Sequence, residues 1–189
     1  MNVRDTSRET ILCLAAAHAL VKLDDGTVVG DPMEKTTLDA LGWTLGNGDT
    51  IQPATTSSYK AQLTIKRRFQ FSSALKRMST ISMLPGGKLV VAVKGAPETL
   101  KTMLAVVPAH YDDTYKTFTR KGSRVLALAM KELDAMPTDK VGSSIHPILP
   151  RLTSVYRSTK CPVQRLRANF TSRVSLFSIA HSKPMPSRL

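Results

Sequence analysis

Between Leu63 and Val93 the chain carries three apolar runs broken by turn signals, and this block constrains the fold more than any other feature. Leu63 to Phe71 alternates apolar and polar residues over much of its length, Met78 to Leu84 forms a second run, and Lys88 to Val93 a third. Alternation sends successive side chains to opposite faces, which is the period of a strand. Pro85-Gly86-Gly87 is a tight turn between the second and third runs, so those two read as a hairpin. Arg124 to Met130 is a further apolar run bounded by charge and reads as a central strand.

Helical signals flank these strands. Thr6 to Leu20 reads as a helix: Thr6 or Ser7 suits its cap, and Glu9 suits the positive end of its dipole. Ile11 to Ala17 is apolar on most faces, so this helix is expected to be buried. Asp24-Asp25-Gly26 marks a turn before a short strand, Thr27 to Val29. Asp31 suits an N-cap and Pro32 a first helical position, opening a helix from Met33 to about Leu41 that Gly42 ends. Residues 47–60 are polar and read as a loop. Pro97 to Leu104 and Tyr111 to Lys121 read as two more helices, with Gly122 stopping the second. Antiparallel strands interrupted by helices give an α+β fold, a twisted antiparallel sheet flanked by helices.

Charge divides the chain near residue 137. Residues 1–140 hold nineteen Lys and Arg against all fourteen acids, a net +5, while residues 141–189 hold eight Lys and Arg and no acid. The expected organisation is one domain over 1–136 and a basic Ser/Pro/Arg-rich tail over 137–189, without order of its own. Such a tail suits phosphate contacts, so an interaction protein binding anionic lipid or RNA is the alternative function. Cys13 and Cys161 lie far apart and form no C-x-x-C pair, and the four histidines have no metal-ligand spacing. No P-loop or G-x-G-x-x-G string occurs. No apolar run approaches the roughly 18 residues that cross a bilayer, so the chain is expected to be soluble.

Two segments point to a ligand: Phe69 to Met78, and Val93 to Glu98. Each joins a strand-like run to a Lys beside aromatic or small residues, which suits an adenine ring and its phosphates. Phe71 is the candidate to stack on a base, a contact worth about 1–3 kcal/mol that needs only a π face. Phe69 shares its parity, so one of the pair is expected in the core. Lys76 and Lys94 supply point charges for phosphate. Gly95 and Ala96 lack bulk, so a ligand can approach the backbone there. Glu34 suits the adenine amino group, Arg124 the phosphates or ribose, and Met78 the base. Solvated strand ends, a surface helix residue and core packing are the ordinary readings of these same residues.

Four motifs then occur in one order. Gly30-Asp31-Pro32-Met33-Glu34, Phe71-Ser72 with Lys76-Arg77-Met78-Ser79, Lys94-Gly95-Ala96-Pro97-Glu98, and Gly122 to Ala129 together resemble the nucleotide-binding domain of P-type ATPases. Their wording looks closest to the endoplasmic-reticulum branch of the type-five subfamily, associated with removing mis-inserted transmembrane helices. The resemblance implies an ATP or ADP site at Glu34, Phe71, Lys76, Met78, Lys94, Gly95, Ala96 and Arg124. It also implies a parent enzyme in the endoplasmic-reticulum membrane, an ATP-hydrolysing translocase with this domain on the cytosolic side.

The resemblance covers about residues 5–135 and stops after Met136-Pro137-Thr138. The family's Asp-Lys-Thr-Gly-Thr, Thr-Gly-Asp and Gly-Asp-Gly-x-Asn-Asp segments do not occur. These supply the phosphorylated Asp and the ligands for Mg2+, on which phosphoryl transfer depends. The chain is therefore expected to be an isolated fragment that binds nucleotide without turning it over. Its natural partners, the phosphorylation and membrane domains, are absent, and no specific nucleic acid is expected.

Overall fold

Successive residues of one strand fall into two different cores, and this divides the molecule into layers. The computed structural model describes residues 6–55, 59–133, 153–154 and 175–179. The elements run α1 (Arg8–Ala16), β1 (Val21–Lys22), β2 (Val28–Val29), α2 (Pro32–Leu41), β3 (Trp43–Leu45), β4 (Thr50–Pro53) and β5 (Leu63–Ser72). After these come β6 (Arg77–Met83), β7 (Leu89–Gly95), α3 (Pro97–Lys101), α4 (Tyr111–Arg120), β8 (Arg124–Leu133), β9 (Thr153–Ser154) and β10 (Ser175–Ile179). In β7, Val90 and Ala92 join a core with α1, α2, β3 and β4, whereas Val91 and Val93 join a second core with α3 and α4. Leu128 and Met130 of β8 face the first core, and Ala127 and Ala129 the second. Helices on both faces bury the sheet, as the period-two pattern requires.

The main sheet is antiparallel throughout, in the order β10-β8-β7-β6-β5-β4-β3, with β9 also pairing β8. This is the α+β fold expected from the pattern. β8 has β7 on one side and the two short tail strands on the other. The tail cannot offset its ordering entropy unless its apolar clusters dock, and Ser175–Ile179 docks by pairing with Arg124 to Leu128. Thr153–Ser154 pairs with Ala129 and Met130, and the expectation for the other residues of 137–189 lies outside the described residues.

Three local expectations are corrected. Residues 47–60 are not all loop, because β4 pairs with β3 and β5. Its burial rests on a single apolar residue, Ile51, which is fully buried opposite Leu45 and Leu63, and four residues are too few to show a period. The first helix ends at Ala16 rather than Leu20. Beyond it, Glu34 accepts the Ala19 N–H and His18 Nδ1 accepts the Leu20 N–H; side chains take the donors that would continue the helix. β1 then pairs with β2 as a separate hairpin. The helix at Pro97 is also shorter than expected, ending at Lys101. α2 follows its signals: Asp31 caps Met33, Pro32 opens the helix, and Gly42 closes it at φ 70°.

Candidate functional site

Strand register gathers most of the candidate residues. Ser72 pairs with Arg77, Arg77 with Gly95, and Gly95 with Ala127. The β5–β6 turn, the end of β7 and the start of β8 therefore share one end of the sheet. Phe71, Lys76, Lys94, Gly95, Ala96 and Arg124 all belong to these segments. Phe71 is 61% exposed, while Phe69 packs against the second core; one aromatic is core and the other open. A bulge between Phe69 and Ser72 breaks the alternation and separates their fates.

Lys76 closes the β5–β6 turn in the left-handed region, at φ 49°. Its ammonium lies 3.9 Å from Glu98, both side chains more than half exposed. Arg124 opens β8 and is exposed. Met78, opposite Lys94, is only 4% exposed, so it supports the site from within the protein. Gly95 also differs from expectation. The volume beside it is taken by the chain's own backbone, since an ideal Cβ would lie 2.6 Å from the Lys76 carbonyl oxygen. Its missing side chain admits β6 rather than leaving open space.

Glu34 reaches this end of the sheet from the first turn of α2. Its Oε1 accepts from Lys94 Nζ at 2.5 Å and its Oε2 accepts from the Ala19 N–H at 2.8 Å. The two side chains are 16% and 12% exposed. The contact joins residues 60 apart in sequence.

Sequence reasoning missed His18 and Arg68, which continue this polar layer. The ring of His18 is 2% exposed. Its carbonyl accepts from Arg68 Nε at 3.0 Å, and Arg68 also pairs with Asp49 at 3.2 Å. Because Nδ1 accepts the Leu20 N–H, the neutral ring carries its proton on Nε2, and Nε2 is buried without a hydrogen-bond partner among the described residues. Burial first, then the nearby Arg68 cation, pushes the imidazole down to about 4. A lone His and a strand Arg 50 residues apart carry no local signal that would have found them.

A cleft of about 490 Å³ lies between the turns Val21–Gly26 and Leu45–Thr50. Asp24, Asp25 and Asp49 line it and none of the candidate residues does. These three carboxylates outnumber the one cation in the lining, Lys22, so the cleft is net negative and suits a triphosphate poorly. Among the described residues no three His, Cys, Asp or Glu side chains are grouped to hold a metal ion. No helix among them is long and apolar enough to cross a membrane.

The chain is 55% identical over 142 residues to the endoplasmic reticulum transmembrane helix translocase spfA of Aspergillus fumigatus, covering 66% of this chain and 11% of that protein. It is 51% identical over 140 residues to the endoplasmic reticulum transmembrane helix translocase of Saccharomyces cerevisiae, covering 72% and 11%. It is 48% identical over 136 residues to the protein of that name in Schizosaccharomyces pombe, covering 67% and 11%. The chain thus spans about a tenth of the length of these relatives. Residues 2–104 match the family model described as P-type ATPase, cytoplasmic domain N. That match takes in more than half of the 189 residues and three of the four motifs, and the chain belongs to the P-type ATPase family through this domain.

Proposed function

We propose that this chain binds ATP or ADP at the sheet end formed by the β5–β6 turn, the end of β7 and the start of β8. One observation carries the reading: an exposed Phe71 stands at the end of the sheet where the register also brings Lys76, Lys94 and Arg124. A π face beside three cations suits an adenine nucleotide. Phe71 stacks on the base. Lys76, Lys94 and Arg124 face its phosphates. Gly95 and Ala96 form the floor, Met78 supports it from below, and Glu34 completes the site from α2. The site is open, with Phe71 and Lys76 exposed, so the affinity of these 189 residues falls in the high-micromolar to millimolar range, about −4 to −6 kcal/mol.

The residues suit ATP, and among the described residues no ligands are grouped for the Mg2+ that accompanies it in P-type ATPases. They also include no Asp-Lys-Thr-Gly-Thr segment. The chain therefore binds nucleotide without hydrolysing it. Within a full-length protein like its relatives, the domain serves an endoplasmic-reticulum translocase from the cytosolic face of the membrane. Its partners there are the phosphorylation and membrane domains.

Titration with ATP followed by amide and side-chain NMR tests this. Signals of Phe71, Lys76 and Lys94 move first, and Phe71→Ala weakens binding roughly tenfold while leaving the melting temperature within a degree or two, as its exposure requires. Shifts confined to the Asp24–Asp25–Asp49 cleft would move the site elsewhere. Magnesium-dependent phosphate release equals the buffer control.

A further inference from the structure

We propose that the outer edge of β8 is a strand-addition site for an extended antiparallel segment, filled in this chain by its own Ser175–Ile179 and open to the same segment supplied from outside. Ser175 to Ile179 pair with Leu128 back to Arg124, and Thr153–Ser154 pair with Met130 and Ala129. The edge is therefore paired without a gap from Arg124 to Met130. Ser154 and Ser175 fill adjacent positions on it, yet residues 155–174 separate them in the chain. Two unlike sequences, Thr-Ser and Ser-Leu-Phe-Ser-Ile, thus take one continuous register and one direction. What the edge selects is an extended backbone, as in strand addition, where main-chain hydrogen bonds supply the affinity.

The composition of β8 explains why its edge attracts a strand. Val125 and every residue from Ala127 to Met130 are buried, with Leu128 and Met130 in one core and Ala127 and Ala129 in the other. A strand that is apolar on both faces belongs in the interior of a sheet, with a neighbour on each side. β7 supplies only one neighbour, through Leu89–Gly95. Left bare, the other edge would present a row of unpaired N–H and C=O groups between apolar side chains, which is a template for any extended chain. Ser175–Ile179 covers that template with five residues. Attachment in one chain raises the effective concentration of this segment, so a free copy of it competes only when supplied in excess.

The probe is a free peptide of residues 173–181, and the readout is amide hydrogen exchange in the 189-residue chain. Successive amides of β8 point alternately to β7 and to the outer neighbour. In the wild-type chain both sets are protected, and an outward set that exchanges as fast as an unstructured peptide overturns the proposal. Leu176→Pro with Phe177→Pro removes two adjacent N–H groups, so one that faces β8 is lost whichever way the strand is turned. In this double variant the outward amides of Arg124–Leu128 exchange at least tenfold faster, and those facing β7 stay protected. Added peptide restores the outward set and binds the variant at least tenfold tighter than wild type, while a peptide carrying both prolines does not. A spin label at the peptide's C-terminus broadens Arg124 more than Leu128. The reverse order, or no restored protection, overturns the proposal. If the variant pairs with a second copy, dimers that dissolve as peptide is added support the site and dimers that persist overturn it. If the variant does not fold, excess peptide on the wild-type chain decides. Release of the chain's own Ser175–Ile179 amides with β8 still protected supports the site, and no change, or loss of both, overturns it.

Discussion

The space a side chain would take at Gly95 is filled by the carbonyl oxygen of Lys76. An ideal Cβ on Gly95 would lie 2.6 Å from that oxygen and 2.7 Å from Arg77 Cβ. The oxygen cannot retreat freely, because the Ala96 N–H donates to it at 3.0 Å. Gly95→Ala therefore forces β6 and β7 apart at the end of the sheet. The expected cost is about 1–3 kcal/mol, the range for overpacking a close contact. Urea denaturation measures it, and a variant as stable as wild type would show that the hairpin end yields without strain.

Lys76 sits at φ 49°, a conformation that costs a non-glycine residue about 1 kcal/mol. Lys76→Gly relieves this strain and Lys76→Ala does not. The ion pair to Glu98 is exposed, so its loss costs little in either variant. Lys76→Gly is thus expected to match or exceed wild-type stability and to exceed Lys76→Ala. Both variants lack the charge, and both should weaken ATP binding by the same factor. Thermal melts and nucleotide titrations on the pair separate backbone strain from charge.

His18 makes stability depend on pH. Its imidazole is held down to about 4 by burial, against an ordinary value near 6.5. Between these values the unfolded chain binds a proton that the folded chain does not, so stability rises with pH across this window. The contribution is fully present above about pH 6.5 and is lost as pH falls toward 4. The shift corresponds to about 3 kcal/mol. His18→Leu should flatten the stability profile between pH 4 and 6.5, at some cost from the orphaned Leu20 N–H. An unchanged slope in that variant would place the acid sensitivity elsewhere. One candidate is Glu132, whose carboxyl is held below its usual range by hydrogen bonds from Lys88 and Arg8.

Cys13 is fully buried, and its thiol donates to the Ala129 carbonyl at 3.3 Å. Burial pushes it up to about 12, so almost no thiolate exists near neutral pH. In a Cys161→Ser chain, alkylation of Cys13 should proceed only through unfolding and should accelerate in step with added urea. Fast labelling under native conditions would show that α1 opens locally from the sheet.

Much of the architecture follows from the sequence alone, because its signals are local. The alternation of Leu89 to Val93 determines a strand and assigns each residue to a face. Asp31, Pro32 and Gly42 determine both ends of α2 through capping and backbone geometry. The motifs at Phe71, Lys94 and Arg124 were legible for the same reason, since each is a short contiguous string. What tertiary structure alone decided depends on register and on distant partners. Register brings Gly95 beside Arg77 and Ala127, and so turns separate motifs into one sheet end. The bulge after Phe69 leaves Phe71 outside while Phe69 packs inside. Glu34 meets Lys94 across 60 residues, and its other oxygen captures the Ala19 N–H beyond the end of α1. Ile51 makes a strand only because Leu45 and Leu63 flank it. A side chain's neighbours along the chain set its local conformation. Its neighbours across the sheet set its charge state, exposure and role, and those neighbours exist only once the strands have paired.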